Sequence, residues 1–170
     1  MRRFFILLLS AYLLAILQSA VTSELLPNFM KPDLMLILVT YLGVSPSLIA
    51  GAMLVFFCGL LYETFSGSPF GLFLFIYLSI FFLIKLLAKF LILGETITFR
   101  LILVALSMTF QASLIILLPP LLGFFENLSL PLMSWILPQV LITCAACWPL
   151  FSLFKKLETL PEGEPSQLEL

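Results

Sequence analysis

DLMLILVTYLGVSPSLIAGAMLVFFCGLLYET fills residues 33–64, and how it divides decides the fold. As one helix, its 32 residues would reach ~48 Å at ~1.5 Å per residue, against a hydrocarbon core of ~30 Å. As two helices, the first is short. The local chemistry favours two. Gly43 suits the position just past a helix C-terminus, and Ser45-Pro46 reads as an N-cap followed by proline at the first helical position. A stop and a start this close make a tight helical hairpin. Pro32-Asp33, Ser68-Pro69 and Pro131 mark three further starts.

Working outward, the 170-residue chain is 62% hydrophobic and 10% charged, with a mean hydropathy of +1.23. That is more apolar surface than a soluble chain of this size can bury, so part of its solvent is lipid. Segments 4–22, 70–92, 100–122 and 131–154 are each long enough to cross a bilayer alone. Charge then sets the count. Arg2 and Arg3 place the N-terminus in the cytoplasm by the positive-inside rule. Six spans bring Arg2, Arg3, Lys85, Lys89, Arg100, Lys155 and Lys156 to that side, seven of the eight basic residues, with Lys31 outside. Five spans would leave only Arg2 and Arg3 there. The sequence therefore predicts an all-α integral membrane protein, six transmembrane helices in a compact bundle, with both termini cytoplasmic.

The run Phe4–Val21 is 18 residues, long for a signal peptide, and Gln18 is a poor −3 residue for cleavage near Ala20, which favours an uncleaved first helix. The second span, about Asp33–Gly43, covers only ~17 Å. It either starts earlier, near Leu25, or is protected by neighbouring helices. Glu24–Pro32 is expected to pack across the outer face as a cap. Residues 1–156 form the membrane domain, and the Glu-rich, Pro-containing 157–170 reads as a disordered cytoplasmic tail.

Function classes narrow by chemistry. No basic cluster of nucleic-acid type is present. The chain has no His, no nucleophile-elbow serine and no phosphate-cradling glycine loop, so neither an active site nor a cofactor is expected. Cys144-Ala-Ala-Cys147 lacks a second pair and reads as small apolar residues on one helix face rather than a metal site. Asp33, after Pro32, reads as a first-turn acid. Lys85, one turn before Lys89, reads as an anchor snorkelling to the cytoplasmic surface, with a functional site as the other reading. Gln18, Ser107, Gln111, Thr109, Ser113, Gln139 and Thr143 read as interhelical polar contacts, or else as the lining of a ligand pocket.

Ser47, Gly51, Val55, Gly59 and Glu63 recur every four residues and share an inclined helix face. Small residues at this interval admit another backbone closely. Two readings stay open: a tight internal contact that sets Glu63 against a partner, or ordinary packing with Glu63 reaching water. Gly67 suits a turn with positive φ, Gly71 keeps the start of the next span slim, and together they are expected to form a compact hairpin on the non-cytoplasmic side, presenting Glu63.

The stretch Gly59-Leu-Leu-Tyr-Glu-Thr-Phe-Ser-Gly-Ser-Pro-Phe-Gly71 resembles the signature of the rod shape-determining MreD family, approximately G-L-x-x-D-x-x-x-G-x-x-L-G. Lys31-Pro-Asp-Leu-Met-Leu-Ile-Leu-Val-Thr-Tyr-Leu-Gly43 looks like that family's Pro-Asp start to its second helix. Glu63 stands where the family usually has Asp, and Phe70 where Leu is common. The resemblance covers residues 1–156 and is most specific over 31–71. It implies a fold similar to the substrate-binding subunits of energy-coupling-factor transporters and no enzymatic activity. It further implies a place in the bacterial cytoplasmic membrane with an MreC-like bitopic partner. Through that complex it implies MreB filaments, a RodA-type glycosyltransferase and its partner transpeptidase, serving peptidoglycan synthesis and cell shape. The structural or partner-binding residues are then Pro32, Asp33, Gly51, Gly59, Glu63, Ser66, Gly67, Pro69 and Gly71. The alternative is a substrate-binding subunit of a small-molecule transporter, which needs polar groups such as Gln18, Glu63 and Gln139 to converge in an outward cavity.

Overall fold

Residues 33–64 do divide. In the computed structural model, which describes residues 2–24, 32–45, 47–66, 70–90, 97–121 and 132–158, α2 (Leu34–Val44) ends and α3 (Leu48–Ser66) begins across Ser45–Ser47. The other elements are α1 (Arg2–Glu24), α4 (Leu72–Phe90), α5 (Ile97–Leu121) and α6 (Leu132–Glu158), so the described residues are all-helical, in six helices. Gly67, Ser68, Pro69, Lys31 and the 25–31 part of the expected outer cap lie outside the described residues, as does the tail beyond Glu158.

The arrangement is a hub inside a ring. The helices pack in the cyclic order α1, α3, α4, α5, α6 and back to α1, and α2 touches all five. Nine of the eleven α2 residues are buried. A helix apolar all round is the type that seeks such a position. At ~17 Å it is about half the bilayer core, and the ring supplies the protection that the sequence left as one of two options. Three described helices, Leu48–Ser66, Leu72–Lys89 and Phe99–Leu118, are long and apolar enough to cross a membrane, and Phe4–Ser19, Leu34–Val44 and Pro138–Phe154 are shorter apolar stretches. The outside of the ring carries exposed Leu13, Ile49, Phe57, Phe75, Phe82, Ile102, Leu117 and Leu141. Apolar patches on this scale suit lipid rather than water.

Glycines set how closely the α2–α3 hairpin lies on α4. A Cβ on Gly59 would fall 2.7 Å from the Leu74 Cα, one on Gly51 2.9 Å from the Phe81 ring, and one on Gly43 2.7 Å from Ile84 Cγ2. The four-residue stripe is thus an internal seam: Gly51, Val55, Gly59 and Glu63 are buried, with Ser47 exposed at its start. Three local expectations change. Gly43 lies inside the last turn of α2, where its missing side chain admits Ile84; the residue ending the helix is Ser45, whose N–H donates to the Tyr41 and Leu42 carbonyls, each at 3.2 Å. Ser45 closes α2 rather than opening α3, which starts at Leu48. Gly71 has open space about it and is needed for its φ of +91°.

The Gly59 and Gly51 contacts separate by what must move. At Gly59 the obstacle is backbone, at Gly51 a side-chain ring. Gly59→Ala is expected to cost ~1–3 kcal/mol and Gly51→Ala distinctly less. Thermal denaturation in detergent checks this by the order of the two apparent Tm values.

Candidate functional site

A sealed helix creates a specific problem. Its first N–H groups and last C=O groups have no partner within the helix; at its start Asp33–Thr40 are all buried, whereas Val44 at its other end is 41% exposed. The N-terminus of α2 is served by side chains from the surrounding helices. Asp33 is its N-cap: Oδ1 accepts from the Leu36 N–H at 3.0 Å. Gln18, from α1, accepts the Met35 N–H through Oε1 at 3.2 Å. Thr143, from α6, accepts the Asp33 N–H through its hydroxyl at 3.1 Å. The Asp33 main-chain carbonyl accepts from the Ile37 N–H at 3.4 Å.

The Asp33 carboxylate is itself only 2% exposed. An unpaired charge there would be costly, and it is surrounded by neutral donors. Gln111 Nε2, from α5, donates to Oδ2 at 2.8 Å. Gln18 Nε2 and the Tyr77 hydroxyl, from α1 and α4, make longer contacts of 3.5 Å to Oδ1. Side chains from α1, α4, α5 and α6 therefore meet at one residue that starts α2. Gln18, Gln111 and Thr143 come together here; Gln139 is half-buried one turn from Thr143. Among the described residues, Gln111 Oε1 is a buried polar atom without a hydrogen-bond partner.

At the other end of α2, Lys85 Nζ, from α4, donates to the Ser45 carbonyl and lies over the Phe81 ring, 5.7 Å from its centroid. The ammonium that read as a snorkelling anchor caps a helix. An acid at the N-terminus and a base at the C-terminus both complement the α2 dipole. Midway, the Thr40 hydroxyl donates to the Leu36 carbonyl at 2.8 Å and meets the Ser107 Oγ of α5 at 3.3 Å. By contrast, Thr109 and Ser113 face outward and donate to carbonyls of their own helix at 2.8 Å.

Glu63 repeats the Asp33 solution across a hairpin. It is 5% exposed, and its oxygens accept from the Gly71 and Leu74 N–H groups, each at 2.9 Å. The carboxylate expected to be presented by the hairpin is instead turned inward, where it caps α4 from the end of α3. Tyr62, Phe73 and Tyr77 stack beside it, with Tyr62 4.4 Å from Phe73 and 5.6 Å from Tyr77 between ring centroids. A small cleft of about 60 Å³ opens between α1 and α3 at this end, lined by Ala15, Gln18, Ser19, Tyr62, Phe65 and Ser66.

The bundle is thus electrically sided. Asp33 and Glu63 occupy one end. Lys85 reaches the opposite end of α2, and Lys89 lies one turn beyond it. Arg100 sits there too, over Phe151 at 5.5 Å, which in turn packs on Tyr41 in the last turn of α2 at 5.3 Å. Of the motif residues that the sequence singles out, Asp33, Gly51, Gly59 and Glu63 all serve this internal framework, Pro32 precedes the α2 cap, and Ser66 lines the cleft. Comparison with protein-family models, with curated proteins and with solved structures returns no match.

Two substitution series follow. Asp33→Ala removes the acceptor for the Leu36 and Gln111 donors and is expected to cost ~3 kcal/mol or more. Asp33→Asn keeps an oxygen for Leu36, and turning the Gln111 amide brings its unpartnered Oε1 to the new NH₂, so the cost falls to ~1 kcal/mol. Size-exclusion profiles and apparent Tm in detergent check this; equal losses for the two variants contradict the cluster. Glu63→Gln retains one acceptor for two N–H groups, whereas Glu63→Ala retains none. The expected costs are ~1 and ~2 kcal/mol, read by the same thermal measurement.

Proposed function

We propose that this protein is a non-enzymatic scaffold of the bacterial cell-elongation complex, spanning the cytoplasmic (inner) membrane six times. The observation that carries the reading is where its buried polar groups are used. Asp33, Glu63 and Lys85 bind helix ends of the protein's own backbone, and Gln18 and Thr143 do the same. Such a bundle is built to hold one shape, which is what a scaffold requires. A small-molecule capture subunit calls for convergent polar groups in a cavity of ~300–1,000 Å³. Gln18 and Glu63, two of the groups such a cavity would need, are instead bound to backbone N–H groups, which supports the scaffold reading over the transporter one.

The electrical sidedness supports the orientation. The end with Lys85, Lys89 and Arg100 lies in the cytoplasm by the positive-inside rule, so Asp33 and Glu63 lie toward the outer face, and both chain ends are cytoplasmic. Six crossings fit the ring, because α2 needs only to reach between the caps that its neighbours provide. The partners come from the resemblance of residues 31–71 to the MreD family: an MreC-like bitopic protein directly, and MreB filaments, a RodA-type glycosyltransferase and its transpeptidase through the complex.

Purification of the tagged protein from its native membrane in mild detergent, followed by mass spectrometry, tests this. An MreC-like protein or wall-synthesis enzymes are expected to copurify. An ATPase pair with a transmembrane coupling subunit would overturn the scaffold reading in favour of a transporter.

A further inference from the structure

The two oxygens of Asp33 do different work. Oδ1 takes the Leu36 N–H and belongs to the α2 cap. Oδ2 meets α5, where Gln111 Nε2 donates to it at 2.8 Å. Among the described residues every partner of this carboxylate is neutral: the Leu36 N–H, Gln18, Tyr77 and Gln111. Lys85 is engaged at the far end of α2, ~17 Å away along the helix, and Arg100 sits on Phe151 at that same end. A carboxylate only 2% exposed thus has donors around it but no described positive charge. In a membrane bundle such a charge is paired as a rule, and its partner marks a site. A second observation lies on the Gln111 amide. Gln111 is 6% exposed, and its Oε1 is a buried acceptor that no described donor reaches. The oxygen and nitrogen of one amide are ~2.2 Å apart, so Oε1 lies within ~5 Å of Asp33 Oδ2.

We infer that Asp33 and Gln111 bind one small monovalent cation, with Asp33 Oδ2 and Gln111 Oε1 as ligands, and that this ion ties α5 to the start of α2. Hard cations take oxygens at ~2.3–2.6 Å, so two ligands of one ion stand up to ~5 Å apart. Both atoms are acceptors without a hydrogen of their own, which suits a cation. A single positive charge cancels that of Asp33. A divalent ion would leave a net charge buried, and it calls for about six oxygens or a retained shell of water. The ion lies on the oxygen that the α2 N–H groups do not use, since the positive end of the helix dipole repels a cation. The cleft between α1 and α3 gives an approach. Gln18 lines it, and the same side chain contacts Asp33 Oδ1 at 3.5 Å. At about 60 Å³ the cleft has room for water or a bare ion. The inference does not depend on the scaffold role.

Equilibrium binding of radioactive sodium to the full chain in detergent tests it, with choline as the inert cation at equal ionic strength. One saturable sodium per chain is expected, displaced by unlabelled sodium and not by choline. The apparent Tm is expected to rise with sodium and not with choline. Asp33→Asn removes the charge and is expected to weaken binding about tenfold or more. Gln111→Glu exchanges the donor for a second anionic oxygen and is expected to tighten binding about tenfold, since ligand charge sets affinity. That variant keeps the site testable where Asp33→Asn fails to fold. Absence of saturable binding overturns the site, as does binding that both substitutions leave unaltered. A carboxylic-acid C=O stretch in the infrared spectrum, absent from Asp33→Asn, overturns it in favour of a proton on Asp33. Sodium-independent stability that falls in Lys31→Gln overturns it in favour of that ammonium.

Discussion

An eleven-residue helix that packs against five others, with its first residues wholly buried, has nowhere to send its N-terminal N–H groups except into protein. In water these groups would be solvated. In a membrane bundle each one left alone costs several kcal/mol. The rest of the structure answers this constraint. Asp33, Gln18 and Thr143 close one end of α2, and Lys85 closes the other. The helices that carry these side chains are thereby fixed in rotation and depth about the hub. A ring held only by apolar packing could slide, because lipid tails are as apolar as leucine. The polar caps give it a register.

The second carboxylate follows the same logic at a different place. Glu63 on α3 reaches the first N–H groups of α4, so the seam between these helices is fixed at its end as well as along its length. Along the length, Gly51 and Gly59 bring α3 onto Phe81 and Leu74. Close approach and the cap depend on each other. The four-residue interval from Gly59 to Glu63 places the carboxylate on the face where the glycine has brought the α4 backbone near. Lengthening the interval by one residue would rotate Glu63 by ~100° away from its donors.

Some of this was legible in residues 33–64. Ser45-Pro46 announced the break, and the small-residue stripe announced a close contact. The all-round apolarity of Leu34–Val44 signalled burial, although the stripe of neighbours that provides it could not be read. Asp33 was recognisable as a helix-start acid. Its partners were not, because Gln18, Gln111 and Thr143 lie 15, 78 and 110 residues away. Spacing within a helix shows which residues share a face, but not which face meets which. The same limit explains Glu63. Its place at the end of the stripe was visible; that the next helix would begin within its reach was a matter of tertiary geometry. Gly43 and Gly71 carried the right residue for the wrong reason: one serves contact where a cap was expected, and the other serves backbone conformation where contact was expected.

Synthesis order gives the hub a further consequence. The ribosome makes the central helix second and its enclosure last. Two of the partners of α2 follow it in the chain: Gln111 and Thr143 come 78 and 110 residues after Asp33. A chain ending before α6 would lack the hydroxyl that accepts the Asp33 N–H. The start of α2 is therefore complete only once the last helix is in place.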